Sequence, residues 1–323
     1  MIIQDNSTRW NSTYHSIHRG LQLQRRLLLF CSDYSKDLGQ DYMQKEDWDQ
    51  LKQISVALKP FHEATMRTQG KAGNGHHGSV WEVLPLLEAL MGAMEQGKDF
   101  YMASGKSTKP SLTPLAVAHQ NAWDKLKKYY NLTDRTHIYA AALLFNPTQR
   151  IKYFDSHWTS TEMQLWKQEI ITTVRDSWEQ DYKTQGKRDE DEATAAQPMQ
   201  PDFLDRFLSQ PTQSLADGDA FDTYINSAPT YCKDSDEDLL GWWDSRNNPH
   251  RQLRQQAFDL LSIPAMSAEV ERVFSSAKRF IPPDRNRLSN DTIELLQLLK
   301  HWWGNKLITP TTAPPRANQV YGV

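Results

Sequence analysis

Residues 239–307 constrain the fold more than any other stretch. They read LLGWWDSRNNPHRQLRQQAFDLLSIPAMSAEVERVFSSAKRFIPPDRNRLSNDTIELLQLLKHWWGNKL. Three helical patterns follow one another across clear breaks, and each carries an apolar stripe that has to be buried. Leu253, Ala257, Leu260 and Leu261 recur at spacings of three and four, as a helix with one inward face requires. Pro264 closes that segment and biases Ile263 toward an extended backbone. Ser267 then caps a second helix through its hydroxyl, with Val270, Val273, Phe274 and Ala277 on the inner face. The Pro282-Pro283 step stops it, and the polar DRNR run forms a bridge. Ser289, Asn290 or Asp291 caps the last helix. Its stripe is Leu295, Leu296, Leu299, Trp302 and Trp303, and Gly304 is its C-terminal stop.

The charges in this stretch have ordinary readings. Glu269 and Glu271 fall in the first turn of the second helix, where a negative side chain meets the positive end of the helix dipole. Arg272, Lys278, Arg279, Arg285 and Arg287 form a solvated face. The same groups are also suited to phosphate oxygens.

A chain of 323 residues is long enough for a substantial core and for one to three domains. Its 11 tryptophans imply several aromatic packing centres or an exposed binding face. The formal net charge of −3 gives the whole chain no nucleic-acid signature, which leaves only a local basic patch for that role. Cys31 and Cys232 form no CxxC pair, and no disulfide framework is expected. The apolar run at 25–30 is too short to cross a membrane. With no signal-peptide pattern at the start, an intracellular protein is expected.

Elsewhere, Asn11 or Ser12 is placed to cap a helix facing inward through Tyr14, Ile17, Leu21 and Leu28. Trp48, Leu51, Ile54, Leu58 and Phe61 mark a second helix, which Pro60 kinks or ends. The loop KAGNGHHGS lacks the GK[ST] ending of a phosphate loop, and His76 and His77 in it have no cysteine partner. A helix interrupted near Pro85 follows, then a second loop. Leu115, Ala118, Ala122, Leu126 and Tyr129 give an amphipathic helix that breaks at Thr133 or Asp134. The run IYAAALLF is buried but too short to classify by period. Met163, Trp166, Ile170, Val174 and Trp178 give one more helix. After it the composition turns polar, charged and proline-bearing, as in a linker. Asp234, Asp236, Glu237 and Asp238 lack the ligand order of a calcium loop.

Four strings resemble hAT-superfamily transposases of the fungal type: TRWNST at 8–13, the YYNLTD…YAAALLFNP…YF…W block, SIPAMSAEVERVFSSAKR at 262–279, and RNRLSNDTIELLQLLKHWW at 285–303. The Phe145-Asn146-Pro147 step departs from the family's usual histidine–proline form. The resemblance implies an RNase H-like core interrupted by a large helical insertion, a C-terminal dimerisation region and a nuclear location. It also implies DNA cutting and joining by two metal ions, held by two aspartates and a glutamate. The third acid of that set falls on Glu271, with Arg272 and Phe274 also matching. Trp10 would contact the DNA end near the active site. Asp5 takes no metal role, because the family's first two catalytic aspartates lie further upstream.

The resulting expectation is a mainly α protein with a helical insertion domain, an incomplete RNase H-like core and a helical C-terminal dimerisation region. Residues 1–13 would be a remnant of that core. Residues 14–135 would form the insertion, 136–181 a helical continuation and 182–235 a flexible linker. The dimerisation region would span 236–310, with a disordered tail over 311–323. An intact family member has a BED zinc finger and early strands bearing both aspartates, and uses Mg or Mn. This chain starts after them, and Glu271 alone cannot position two ions. An inactive fragment without a metal or cofactor is therefore expected. Its partner would be a copy of itself or a full-length hAT-type protein, met through Trp242, Trp243, Phe274, Leu295, Leu299, Trp302 and Trp303. The alternatives are a DNA-binding remnant using Arg9, Trp10, Arg272, Lys278, Arg279, Arg285 and Arg287, or a two-metal transposase if the chain is part of a longer one. No membrane partner is expected.

Overall fold

The three- and four-residue spacing of apolar side chains is realised as helix after helix in the computed structural model. It describes residues 10–39, 43–69, 78–104, 113–184, 219–230, 236–246, 248–268, 270–271, 274–275, 288–304 and 307–308. The chain divides into two units, Met1–Met266 and Ser267–Val323. Among the described residues there is no strand, only an isolated antiparallel pairing of Ser79 with Pro264. The mainly α class follows directly.

In the first unit, α1 (Trp10–Gln22) packs on α4 (Lys45–Gln69). Tyr14 is buried there and stacks on His62 with ring centroids 4.5 Å apart. Because α1 already begins at Trp10, Asn11 and Ser12 lie inside its first turn and are not caps. After a break at Leu23, α2 (Gln24–Asp33) and α3 (Ser35–Leu38) have no buried residue, and Leu28, expected inward, is exposed. The helix α4 passes through Pro60 without ending. A proline removes one backbone donor. Here the apolar face continues on both sides through half-buried Leu58 and Phe61, and that packing outweighs one missing hydrogen bond.

A 3-10 turn at Val80–Glu82 leads into α5 (Val83–Ser104). Pro85 sits in the first turn of α5, where backbone N–H groups have no helical partner, so the expected interruption does not occur. In α6 (Pro114–Thr133) the N-cap is Thr113, whose hydroxyl accepts from the Ala116 N–H at 3.2 Å. The helix ends where Asp134 caps it. Its inner face holds Leu126 as expected, but Tyr130 replaces Tyr129, which is half exposed. Two adjacent stripes of this helix are both apolar, and packing against α5 selects the one with Ala116, His119 and Tyr130.

The core centres on α7 (Ile138–Leu144), where Ala140 through Phe145 are all buried. Around it lie α8 (Arg150–His157), α9 (Thr161–Ser177) with its π turn Trp178–Tyr182, α10 (Ala220–Asn226), α11 (Asp236–Asp244) and α12 (Arg254–Leu261). In α9 the Ser160 hydroxyl caps the Met163 N–H, and Ile170, Val174 and Trp178 face inward as the spacing requires. Leu253, Ala257 and Leu261 are buried likewise. One expectation fails. The linker assigned to 182–235 contains α10, whose Phe221, Tyr224 and Ile225 are core residues. Residues 185–218 of that linker lie outside the described residues.

The Ile263-Pro264 step is extended and ties back to the start of α5. Val80 N–H donates to the Ile263 carbonyl at 2.9 Å, and Ala265 N–H to the Gly78 carbonyl at 2.7 Å. Gly78 has no room for a side chain, since a Cβ there would lie 2.6 Å from the Thr68 Cα.

In the second unit, residues 268, 270–271 and 274–275 are helical, and α13 (Asn290–Gly304) is the long element. Ser289 is its cap, with the hydroxyl accepting from the Thr292 N–H at 3.3 Å. Among the described residues no helix is long and apolar enough to cross a membrane.

Candidate functional site

The apolar stripe of α13 forms at the spacing the sequence demands, yet no residue of this helix is buried. Leu295, Leu299, Trp302 and Trp303 are all exposed, Trp303 to 57%. Val270 and Phe274, expected on an inner face, are exposed as well, Phe274 to 70%. Val273 and Ala277 lie outside the described residues. The stripe therefore presents large apolar groups to solvent. A contiguous apolar surface with two tryptophans is the usual composition of a protein-binding face.

Of the other two expected contact residues, Trp243 belongs to the chain's own core. It is fully buried, its indole N–H donates to the Phe145 carbonyl at 3.1 Å, and its ring lies 5.0 Å from that of Tyr224. In this conformation it offers no surface to a partner. Trp242 is half-buried, edge-on to Trp243 at 4.9 Å.

Glu271 stands on the first turn after Ser267. Its N–H donates to the Ser267 carbonyl at 3.0 Å, and the Ser267 hydroxyl donates to its carboxylate at 3.3 Å. It is exposed. Among the described residues no group of three His, Cys, Asp or Glu side chains is placed to hold a metal ion. The donor set around Glu271 within them does not fit a divalent pair. Arg9, Arg272, Lys278, Arg279, Arg285 and Arg287, with Glu269, Asp5, Asp234, His76 and His77, lie outside the described residues, and only the backbone of Trp10 falls within them.

The polar centre of the first unit was missed by sequence reasoning. Arg150 is 1% exposed and adopts a positive φ of 49°. Its guanidinium donates to the Ala228 carbonyl at 2.9 Å, to the Thr230 hydroxyl at 3.2 Å and to the Ser227 hydroxyl, and lies over the Tyr224 ring at 4.6 Å. Beside it, burial and then the Arg150 charge push His250 down to about 4. No local pattern in the sequence separates this arginine from a surface one.

Residues 204–303 match the family model of the hAT C-terminal dimerisation region. A Talaromyces stipitatus protein, tpeD, named as a transcriptional regulator, is 25% identical over 312 residues, covering 92% of this chain and 31% of that protein. A Zea mays protein named as an AC transposase is 22% identical over 316 residues, covering 93% of this chain and 37% of its own length. The zinc finger BED domain-containing protein DAYSLEEPER of Arabidopsis thaliana is 22% identical over 305 residues, 92% of this chain and 40% of that protein. The chain thus spans between 31% and 40% of the length of these relatives. Through the matched dimerisation region and these relatives, the chain is similar to hAT-family transposases.

Proposed function

We propose that the chain acts chiefly through protein association, pairing with a copy of itself or with a longer hAT-type protein, and that it does not cut DNA on its own. The observation that carries this reading is the apolar face of α13, which holds Leu295, Leu299, Trp302 and Trp303 without burying any of them. Burying a large apolar side chain is worth roughly 1.5–3 kcal/mol. Covering four of them in each protomer would offset a good part of the entropy lost on association. Trp302 and Trp303 are the anchors in this reading, and Phe274 extends the surface.

The non-catalytic half rests on Glu271, whose carboxylate is exposed and held by a serine hydroxyl. A two-metal mechanism needs several carboxylates converging on one point. Light scattering across the micromolar range tests association, and a dimer mass is expected. Incubation with supercoiled plasmid and magnesium or manganese tests catalysis. Metal-dependent nicking that Glu271→Gln abolishes would overturn the non-catalytic half.

A second reading is DNA binding in the nucleus through Arg9, Trp10, Arg272, Lys278, Arg279, Arg285 and Arg287. It is favoured by relatives named as a transcriptional regulator and a transposase. Binding to duplex DNA that weakens steeply with salt would support it, and no binding at low salt would end it.

A further inference from the structure

The first unit holds a cleft of about 140 Å³ between the end of α6, the start of α7 and the middle of α9. That volume is well above the ~10–15 Å³ that one water needs. Four aromatic side chains line it, Tyr130, Tyr139, Trp158 and Trp166, together with two carboxylates, Asp134 and Glu169. Its lining contains no lysine or arginine, and its one basic side chain is His137. Two of the aromatic rings are held in place from behind. Tyr130 O–H and Trp158 N–H both donate to the Glu88 carboxylate at 2.8 Å. Tyr153 O–H donates to the same carboxylate. A phenol or indole that donates to an anion gains electron density on its ring, and the ring face then attracts a positive charge more strongly.

The chain's own chemistry points the same way. The Lys127 ammonium lies 5.4 Å from the centroid of the Tyr130 ring. It also opposes the burial that pushes Asp134 upward. A cation of the chain's own helix thus stands over one of the lining rings.

We infer that this cleft binds an organic cation, an ammonium group carrying alkyl substituents, with the rings of Tyr130, Tyr139, Trp158 and Trp166 against its methyl groups and Asp134 and Glu169 balancing its charge. The alkyl groups match the four aromatic rings of the lining, and the two carboxylates favour a cation over a neutral or anionic ligand of the same shape. The same chemistry is presented by a free small cation and by a trimethylated lysine side chain.

The test is isothermal titration of the whole chain with choline, with 3,3-dimethylbutanol, which has the same shape without the charge, and with N-acetyl-trimethyl-lysine amide. Choline is expected to bind in the millimolar range and the alcohol about tenfold more weakly, the scale of one or two cation–aromatic contacts. Tighter binding of the lysine derivative than of choline identifies a side chain as the natural source, and the reverse order identifies a free cation. Glu169→Gln and Asp134→Asn change exposed groups and are expected to leave the fold intact while weakening choline severalfold. Lys127→Met, which removes the competing charge, is expected to tighten it. Equal binding of choline and the alcohol overturns the inference. So does an absence of choline binding at tens of millimolar, or carboxylate variants that bind choline as the parent chain does.

Discussion

Arg150→Met removes a buried cation at the centre of the first unit and replaces it with an apolar chain of similar length. In the native chain the guanidinium ties α8 to the backbone after α10 through Ser227, the Ala228 carbonyl and Thr230. Hydrogen bonds from a charged donor are worth about 1.5–3 kcal/mol each, so three of them sum to roughly 4–9 kcal/mol. Desolvating the guanidinium offsets several kcal/mol of that. The substitution also leaves the Ala228 carbonyl without this donor. A net loss of about 3 kcal/mol is expected. Urea unfolding followed by tryptophan fluorescence reads the change directly, because Trp242 and Trp243 lie close to the same cluster. Arg150→Lys retains the charge, but its three donors sit on one nitrogen and cannot span acceptors that the guanidinium reaches from two, so at least half of the loss should remain. A midpoint and slope unchanged in Arg150→Met would refute the view that this arginine organises the core.

Two further outcomes follow from the same packing. His250 titrates near 6.5 in an unfolded chain and at about 4 in this fold. Protons then bind the unfolded state preferentially between those values. Its contribution to stability is full above about pH 6.5, shrinks as the pH falls toward 4 and levels off below, so His250→Gln should flatten the pH dependence of the urea midpoint across that window. An equally steep profile in the variant would contradict the assignment. Gly97 lies where a Cβ would meet the ring of His119 at 2.3 Å, and that ring is buried and bonded to the Leu115 carbonyl. Gly97→Ala should cost about 1–3 kcal/mol by overpacking α5 against α6, despite alanine's better helix propensity. A stabilised variant would show that the two helices are looser than described.

Much of this architecture is legible in local patterns. The stripes of α9 and α13 fall where three- and four-residue spacing puts them, because each is long enough for one period to dominate, and the shorter α12 follows the same spacing. The extended Ile263-Pro264 step follows from backbone chemistry at a single position, whereas the choice of Ser289 over Asn290 and Asp291 as cap is visible only in the structure. What the sequence hides is decided by distant contacts. Tyr129 and Tyr130 are equally good candidates until α5 packs against one of them. Phe221, Tyr224 and Ile225 sit in polar, proline-bearing surroundings and look like a linker until the α7 core supplies their partners. Nothing local marks Arg150, whose burial depends on acceptors about eighty residues away. At the candidate site the pattern gave α13 an apolar stripe and assigned it to a partner, and this chain leaves that stripe exposed. Trp243 shows the reverse. It reads as a contact residue and serves the chain's own core.

The claim on which the rest depends is that the outward face of α13 is made to be covered by another protein chain. Sedimentation equilibrium of the parent chain beside a Leu295→Glu, Leu299→Glu double variant tests it most directly. Both substitutions sit on an exposed face, so the variant should fold as the parent does by circular dichroism. A parent that sediments as a dimer at micromolar concentration, with a variant that sediments as a monomer, is the predicted result. A folded parent that stays monomeric, or a variant that dimerises as strongly as the parent, would contradict it.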